Sequence, residues 1–136
     1  MKWFLLILFF TLFILNSRAQ KTTLSQSSKN DLIINDPTQL EKLPEFPGGQ
    51  KAYDKFLSKN LKWPDQIDAQ GKVIISFIIE KDGHLTGFKV ERSMGNPFDS
   101  EALRVIKKCP KWIPGKQNGK TVRVKYSLPI NFTIRE

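Results

Sequence analysis

The chain has one cysteine and one histidine in 136 residues. A single cysteine excludes an internal disulfide, and one Cys with one His cannot supply the three or four ligands of a zinc site. Nucleophilic catalysis fares no better. His84 falls in a turn, where a solvated loop residue is the plain reading, and Cys109 falls on an apolar helical stripe, where a core thiol is. Asp99 and Glu101 stand two residues apart on a helix and do not face each other. Gly48, Gly49 and Gly115 lack the spacing of a phosphate loop. The net charge is +9, yet the lysines are spread over every segment with no basic block and no aromatic stacking motif. The expectations are therefore no enzyme, no cofactor, no metal and no nucleic-acid partner.

Only one long apolar run is present. Met1-Lys2 precedes Trp3–Leu15, in which Thr11 is the single polar residue, and Ser17-Arg18-Ala19 then sets small residues before Gln20. That is the pattern of a secretory signal peptide over residues 1–19. As a helix the run spans about 20 Å, short of the roughly 30 Å of a hydrocarbon core, so cleavage is favoured over a short membrane anchor. Removing it takes away Lys2 and Arg18 and leaves a net charge of +7. Export without a disulfide leaves the fold dependent on its core, which about 90 residues suffice to build.

Residues 20–43 are polar and read as a flexible tether. Their apolar cluster Leu32-Ile33-Ile34 is either a short docking strand or chance, with chance favoured. The domain proper runs over 44–136. Gly48-Gly49 opens an amphipathic helix with Ala52, Tyr53, Phe56, Leu57 and Leu61 on one stripe, stopped by Asn60 and Pro64. Gly71–Glu80 is apolar on both faces, as a central strand is, and Asp82-Gly83 turns it into a return strand ending near Arg92. Asp99 or Asn96 is placed to cap a second helix carrying Phe98, Ala102, Val105, Ile106 and Cys109. The turn Gln117-Asn118-Gly119-Lys120 leads to the last strand. The expected fold class is α+β: a three-stranded antiparallel sheet with two helices packed on one face, in the order helix, strand, strand, helix, strand.

The last strand, Thr121–Ile134, alternates without a break: Val122, Val124, Tyr126, Leu128, Ile130, Phe132 and Ile134 are apolar and the residues between are polar or proline. Pro129 cannot donate to a ladder, which marks an edge strand with the odd-numbered backbone facing away from the sheet. Arg123, Lys125 and Pro129 could simply blunt that edge against aggregation. They could equally present it for strand addition by another chain, over Val122, Arg123, Val124, Lys125, Tyr126 and Ser127. On the residues alone the two readings stand level.

The series P-E-F-P-G-G (Pro44–Gly49), N-L-K-W-P (Asn60–Pro64), G-K-V-I-I-S-F-I-I-E-K-D-G (Gly71–Gly83), S-E-A-L-R-V-I-K-K-C-P-K-W-I-P-G-K-Q-N-G-K (Ser100–Lys120) and V-K-Y-S-L-P-I-N-F (Val124–Phe132) closely resembles the TonB C-terminal domain family. The resemblance implies a periplasmic location and a partner that is a TonB-dependent outer-membrane transporter, or another protein with an extended TonB-box-like segment, held on the last strand. It also implies inner-membrane motor proteins as partners, but only if the N-terminus is uncleaved. Departures from the family pattern are the short apolar run without His, the missing proline-rich spacer and the missing Gln-Pro motif. The tether to Phe46 reaches at most about 97 Å. The alternative is a self-associating domain, a homodimer joined through the free edge and an open sheet face of Ile74, Ile78 and Leu85.

Overall fold

The computed structural model describes residues 32–64 and 69–133. The signal-peptide segment, the tether up to residue 31 and Ile134 lie outside the described residues. Among those described, no helix is long and apolar enough to cross a membrane.

The elements in order are β1 (Ile33–Ile34), α1 (Gly49–Asn60), β2 (Gly71–Ile79), β3 (Leu85–Arg92), α2 (Phe98–Lys107), β4 (Lys116–Gln117), β5 (Lys120–Thr121) and β6 (Arg123–Phe132). The main sheet has the order β1-β6-β2-β3, and β4 with β5 forms a separate two-stranded ribbon. β2 is central for the reason its sequence suggests: Val73, Ile75, Phe77 and Ile79 are fully buried against the helices, while Ile74 and Ile78 on the opposite face are half-buried. Its hairpin with β3 turns at Gly83, whose φ of 90° belongs to glycine and whose own contacts forbid anything larger. A Cβ there would stand 2.0 Å from the Trp112 carbonyl oxygen. Trp112 N–H in turn donates to the Gly83 carbonyl at 2.9 Å, so the hairpin tip is docked onto the segment after α2.

Both helices feed one core. Tyr53 from α1 and Phe98, Ala102, Val105 and Ile106 from α2 pack with the buried face of β2 and with Ile130 and Phe132 of β6. Phe46, Tyr53, Phe77 and Tyr126 surround Trp112, with ring centroids 5.7 to 6.3 Å from it. Trp63 closes the other end, edge-on to Phe98 at 6.0 Å and to Phe132 at 5.8 Å. The end of α1 is tied to α2 by charge-assisted hydrogen bonds. Arg104 Nη2 donates to the Asn60 carbonyl at 2.7 Å, Arg104 Nε to Glu101 Oε2 at 2.8 Å, and Lys62 N–H to Glu101 Oε1 at 2.7 Å.

Four expectations need correction. The sheet is not three antiparallel strands: β1 adds a fourth, parallel to β6, so the β6 edge is covered at Arg123 and Val124. Residues 33–43, read as tether, pair with the domain, because extended chain with free N–H and C=O groups finds partners in the segment 113–116 that leads into β4. Lys42 exchanges backbone hydrogen bonds with Lys116 at 2.9 and 3.2 Å, and Glu45 with Ile113 at 2.8 and 2.9 Å. Neither Asp99 nor Asn96 caps α2, whose N-cap is Pro97 with no side-chain cap. Asp99 instead accepts from Met94 N–H at 2.9 Å and from the Ser93 hydroxyl, holding the loop before the helix. Finally, Leu85 is not on the open face; it lies opposite Ile79 and packs on the core.

Candidate functional site

β6 pairs antiparallel with β2 over nine consecutive positions, from Gly71 opposite Phe132 to Ile79 opposite Val124. The register has no break, so backbone direction alternates regularly along β6. Pro129, opposite Ile74, has no N–H to give and therefore occupies a position whose backbone faces away from β2. Arg123, Lys125, Ser127 and Asn131 share that orientation. Their carbonyls, and all their N–H groups, form the outer edge.

Each expected contact residue has a definite place. Val122 precedes the strand, and its N–H donates to the Gly115 carbonyl at 3.1 Å. Val124 is fully buried, and Tyr126 is half-buried on Phe77 and Trp112; both serve the core. Arg123, Lys125 and Ser127 lie on the face opposite the helices. Arg123 is clamped there: its Nε donates to Glu80 Oε2 at 2.7 Å and its Nη2 to Glu80 Oε1 at 3.0 Å. The Thr86 hydroxyl donates to the same carboxylate at 2.6 Å. Arg123 holds the Glu80 carboxyl below the usual range, against the opposing effect of burial. Lys125 Nζ is 3.8 Å from Glu91, which also accepts from the Ser76 hydroxyl at 2.7 Å. That Ser76 bond, more than the neighbouring lysines, lowers the Glu91 carboxyl.

On its outer side β6 meets β1 in parallel register, Ile33 opposite Arg123 and Ile34 opposite Val124. Beyond Val124, no other described strand pairs with that edge, and Lys125, Ser127, Pro129 and Asn131 are exposed. The sequence pattern therefore located the strand, named Ile33–Ile34 within a possible docking strand but favoured chance, and missed Glu80. The signal for Ile33–Ile34 was an isolated three-residue apolar cluster, Leu32-Ile33-Ile34, in a polar stretch. Glu80 lies just beyond a strand end, where a carboxylate is unremarkable without a partner in view.

The other reactive groups stay apart. His84 Nδ1 is 2.7 Å from Asp82 Oδ2 in the exposed hairpin turn. The Cys109 thiol is half-buried, and burial pushes it up to about 11, with the Trp112 side chain working against that rise. Among the described residues, no three His, Cys, Asp or Glu side chains gather where a metal ion could be held.

The chain is thus a small α+β domain whose last strand runs beside a central strand and leaves part of its other edge exposed. The family comparison is specific: residues 65–134 match the family described as Gram-negative bacterial TonB protein C-terminal. The match covers half of the chain, and the chain belongs to that family, a family of protein-interaction domains. No curated protein matches the chain.

Proposed function

We propose that this chain is an exported, non-enzymatic docking module that works in the periplasm and receives an extended, TonB-box-like segment of an outer-membrane transporter by strand addition to β6. The observation that carries the reading is the length of edge remaining beyond β1. Ser127 and Asn131 direct both N–H and C=O outward, Pro129 contributes a carbonyl, and Lys125 borders the stretch. The docking stretch is therefore Lys125–Asn131, displaced toward the C-terminal end from the Val122–Ser127 stretch that the alternation suggests. Each main-chain hydrogen bond gained is worth about 0.5–1.5 kcal/mol net, so the five outward groups of Ser127, Pro129 and Asn131 place a short peptide in the weak, reversible range. Coupling to an inner-membrane motor belongs to this reading only where the N-terminal segment is retained, and sequencing the N-terminus of the protein from cells decides that.

The test is an amide chemical-shift titration with synthetic peptides carrying the N-terminal boxes of outer-membrane transporters. Shifts concentrated at Lys125, Ser127 and Asn131 are expected. Binding that leaves all three amides unmoved overturns the reading.

A further inference from the structure

Just ahead of the Lys125–Asn131 stretch, the outer edge of β6 is already occupied by the chain itself. Ile33 and Ile34 pair with Arg123 and Val124, and the segment is held in place from the C-terminal side. Asp36 Oδ1 accepts from Thr38 N–H at 3.0 Å and starts a 3-10 turn over Pro37–Gln39, closed by Leu40 N–H donating to the Pro37 carbonyl at 3.1 Å. Leu40 reaches over Gly115, where a Cβ would stand 3.0 Å from Leu40 Cδ1 and 3.1 Å from Val124 Cγ2. The Lys42–Lys116 and Glu45–Ile113 backbone pairs then fix the strap. With its anchor so near, β1 faces its site at a high effective concentration. The pairing itself is only two residues long, so it contributes little cooperative stability to the sheet.

We propose that Ile33–Ile34 is a self-ligand of the β6 edge, which a partner strand that extends past Lys125 onto Arg123–Val124 must displace. The inference deepens the docking reading and rests on it for the identity of the partner, but self-occupancy is measurable without any partner. The affinity of such a partner falls by the fraction of molecules in which β1 is detached. The displaced segment also states what chemistry the edge takes: two β-branched residues in extended conformation, bounded in sequence by Asp31 and Asp36, on a chain with an excess of cations.

The probe is a synthetic peptide of the chain's own residues 30–36, N-D-L-I-I-N-D, titrated against the full chain and against an Ile33→Gly/Ile34→Gly variant. The variant is expected to bind the peptide at least about tenfold more tightly than the unaltered chain, because the competing strand is gone. With Val124 turned toward β2, the parallel register sets the Lys125 N–H against the Ile34 carbonyl, so amide hydrogen exchange at Lys125 speeds up in the variant and slows again when the peptide is added. Equal binding to both forms, or binding to neither, together with unchanged Lys125 exchange, overturns the proposal. Ile34→Asp serves as a second variant with the same expected outcome, and near-ultraviolet circular dichroism from the Trp112 cluster checks that each is folded. If transporter-box peptides bind neither form while the 30–36 peptide binds the variant, self-occupancy stands and the docking reading fails.

Discussion

Replacing Ser127 with proline separates the two edges of β6. Ser127 lies opposite Ser76, is exposed, and shares its backbone orientation with Pro129 two residues on. Its N–H is directed away from β2, so the substitution removes no bond from the β2 ladder and is expected to change unfolding free energy by less than about 1 kcal/mol. Tyr126→Pro is the contrast. That N–H faces β2, and its ring packs 6.2 Å from Phe77 and 5.7 Å from Trp112, so the loss there exceeds about 3 kcal/mol. For a docked strand the position matters in the opposite sense. Ser127→Pro deletes one donor and leaves a partner carbonyl without its hydrogen bond, together about 2 kcal/mol, or roughly thirtyfold in affinity. Thermal unfolding followed by circular dichroism and fluorescence anisotropy with a labelled transporter-box peptide read the two effects on the same samples. Unaltered peptide affinity in a folded Ser127→Pro protein refutes docking on this edge. A melting loss as large as that of Tyr126→Pro refutes the orientation deduced from Pro129.

Gly83→Ala is expected to destabilise the domain by more than about 3 kcal/mol, since the new Cβ meets the Trp112 carbonyl at 2.0 Å in a left-handed backbone; a melting midpoint within a degree or two of the parent would show the hairpin is not docked there. Glu80, Glu91 and Glu101 all have carboxyls held below the ordinary value of 4.5 by their hydrogen-bond partners. Groups depressed in the folded state stabilise it fully above their unfolded value and lose that contribution as pH falls through the folded one. The midpoint should thus be level from pH 8 to about pH 5 and drop below about pH 4.5, and a drop beginning above pH 6 would contradict the assignment. With its thiol at about 11, Cys109 should react with a disulfide reagent at pH 8 at least about a hundredfold more slowly in the folded protein than in urea. Comparable rates would place the thiol in solvent.

What the sequence revealed and what it hid divide along physical lines. The nine residues of β2 and ten of β6 repeat their alternation often enough to define a face, and the structure buries the faces so defined. The stripe from Ala52 to Leu61 and the one from Phe98 to Ile106 are legible for the same reason, each turn restating the pattern. Two residues cannot show a period. Ile33–Ile34 becomes a strand only because an edge ninety positions later is there to receive it, which is information about distance in the fold rather than local preference. The same holds for the strap from Lys42 to Glu45, whose partners are two backbone positions after α2. Asn118-Gly119 was legible as a turn, and the positive φ values of 51° and 71° fit a two-residue loop. That it closes a ribbon of its own, β4 with β5, depends on the strap beside it: Glu41 N–H donates to Gln117 Oε1 at 3.2 Å. At the docking edge, Pro129 disclosed the direction of the backbone, whereas the Glu80 clamp on Arg123 required the β2–β6 register to be known.

The parallel sense of β1 has a mechanical consequence. Because β1 runs with β6, the chain arrives at the Arg123 end of the sheet and β6 departs at Phe132, about 30 Å away by strand rise. Tension between those two points puts the two β1–β6 pairs in shear, and the nine β2–β6 pairs would be loaded only after them, from the end where Gly71 lies opposite Phe132. The two β1 pairs and then the strap stand ahead of that ladder as a shorter and weaker series, so slack is drawn first from residues 33–45 while the sheet keeps its shape.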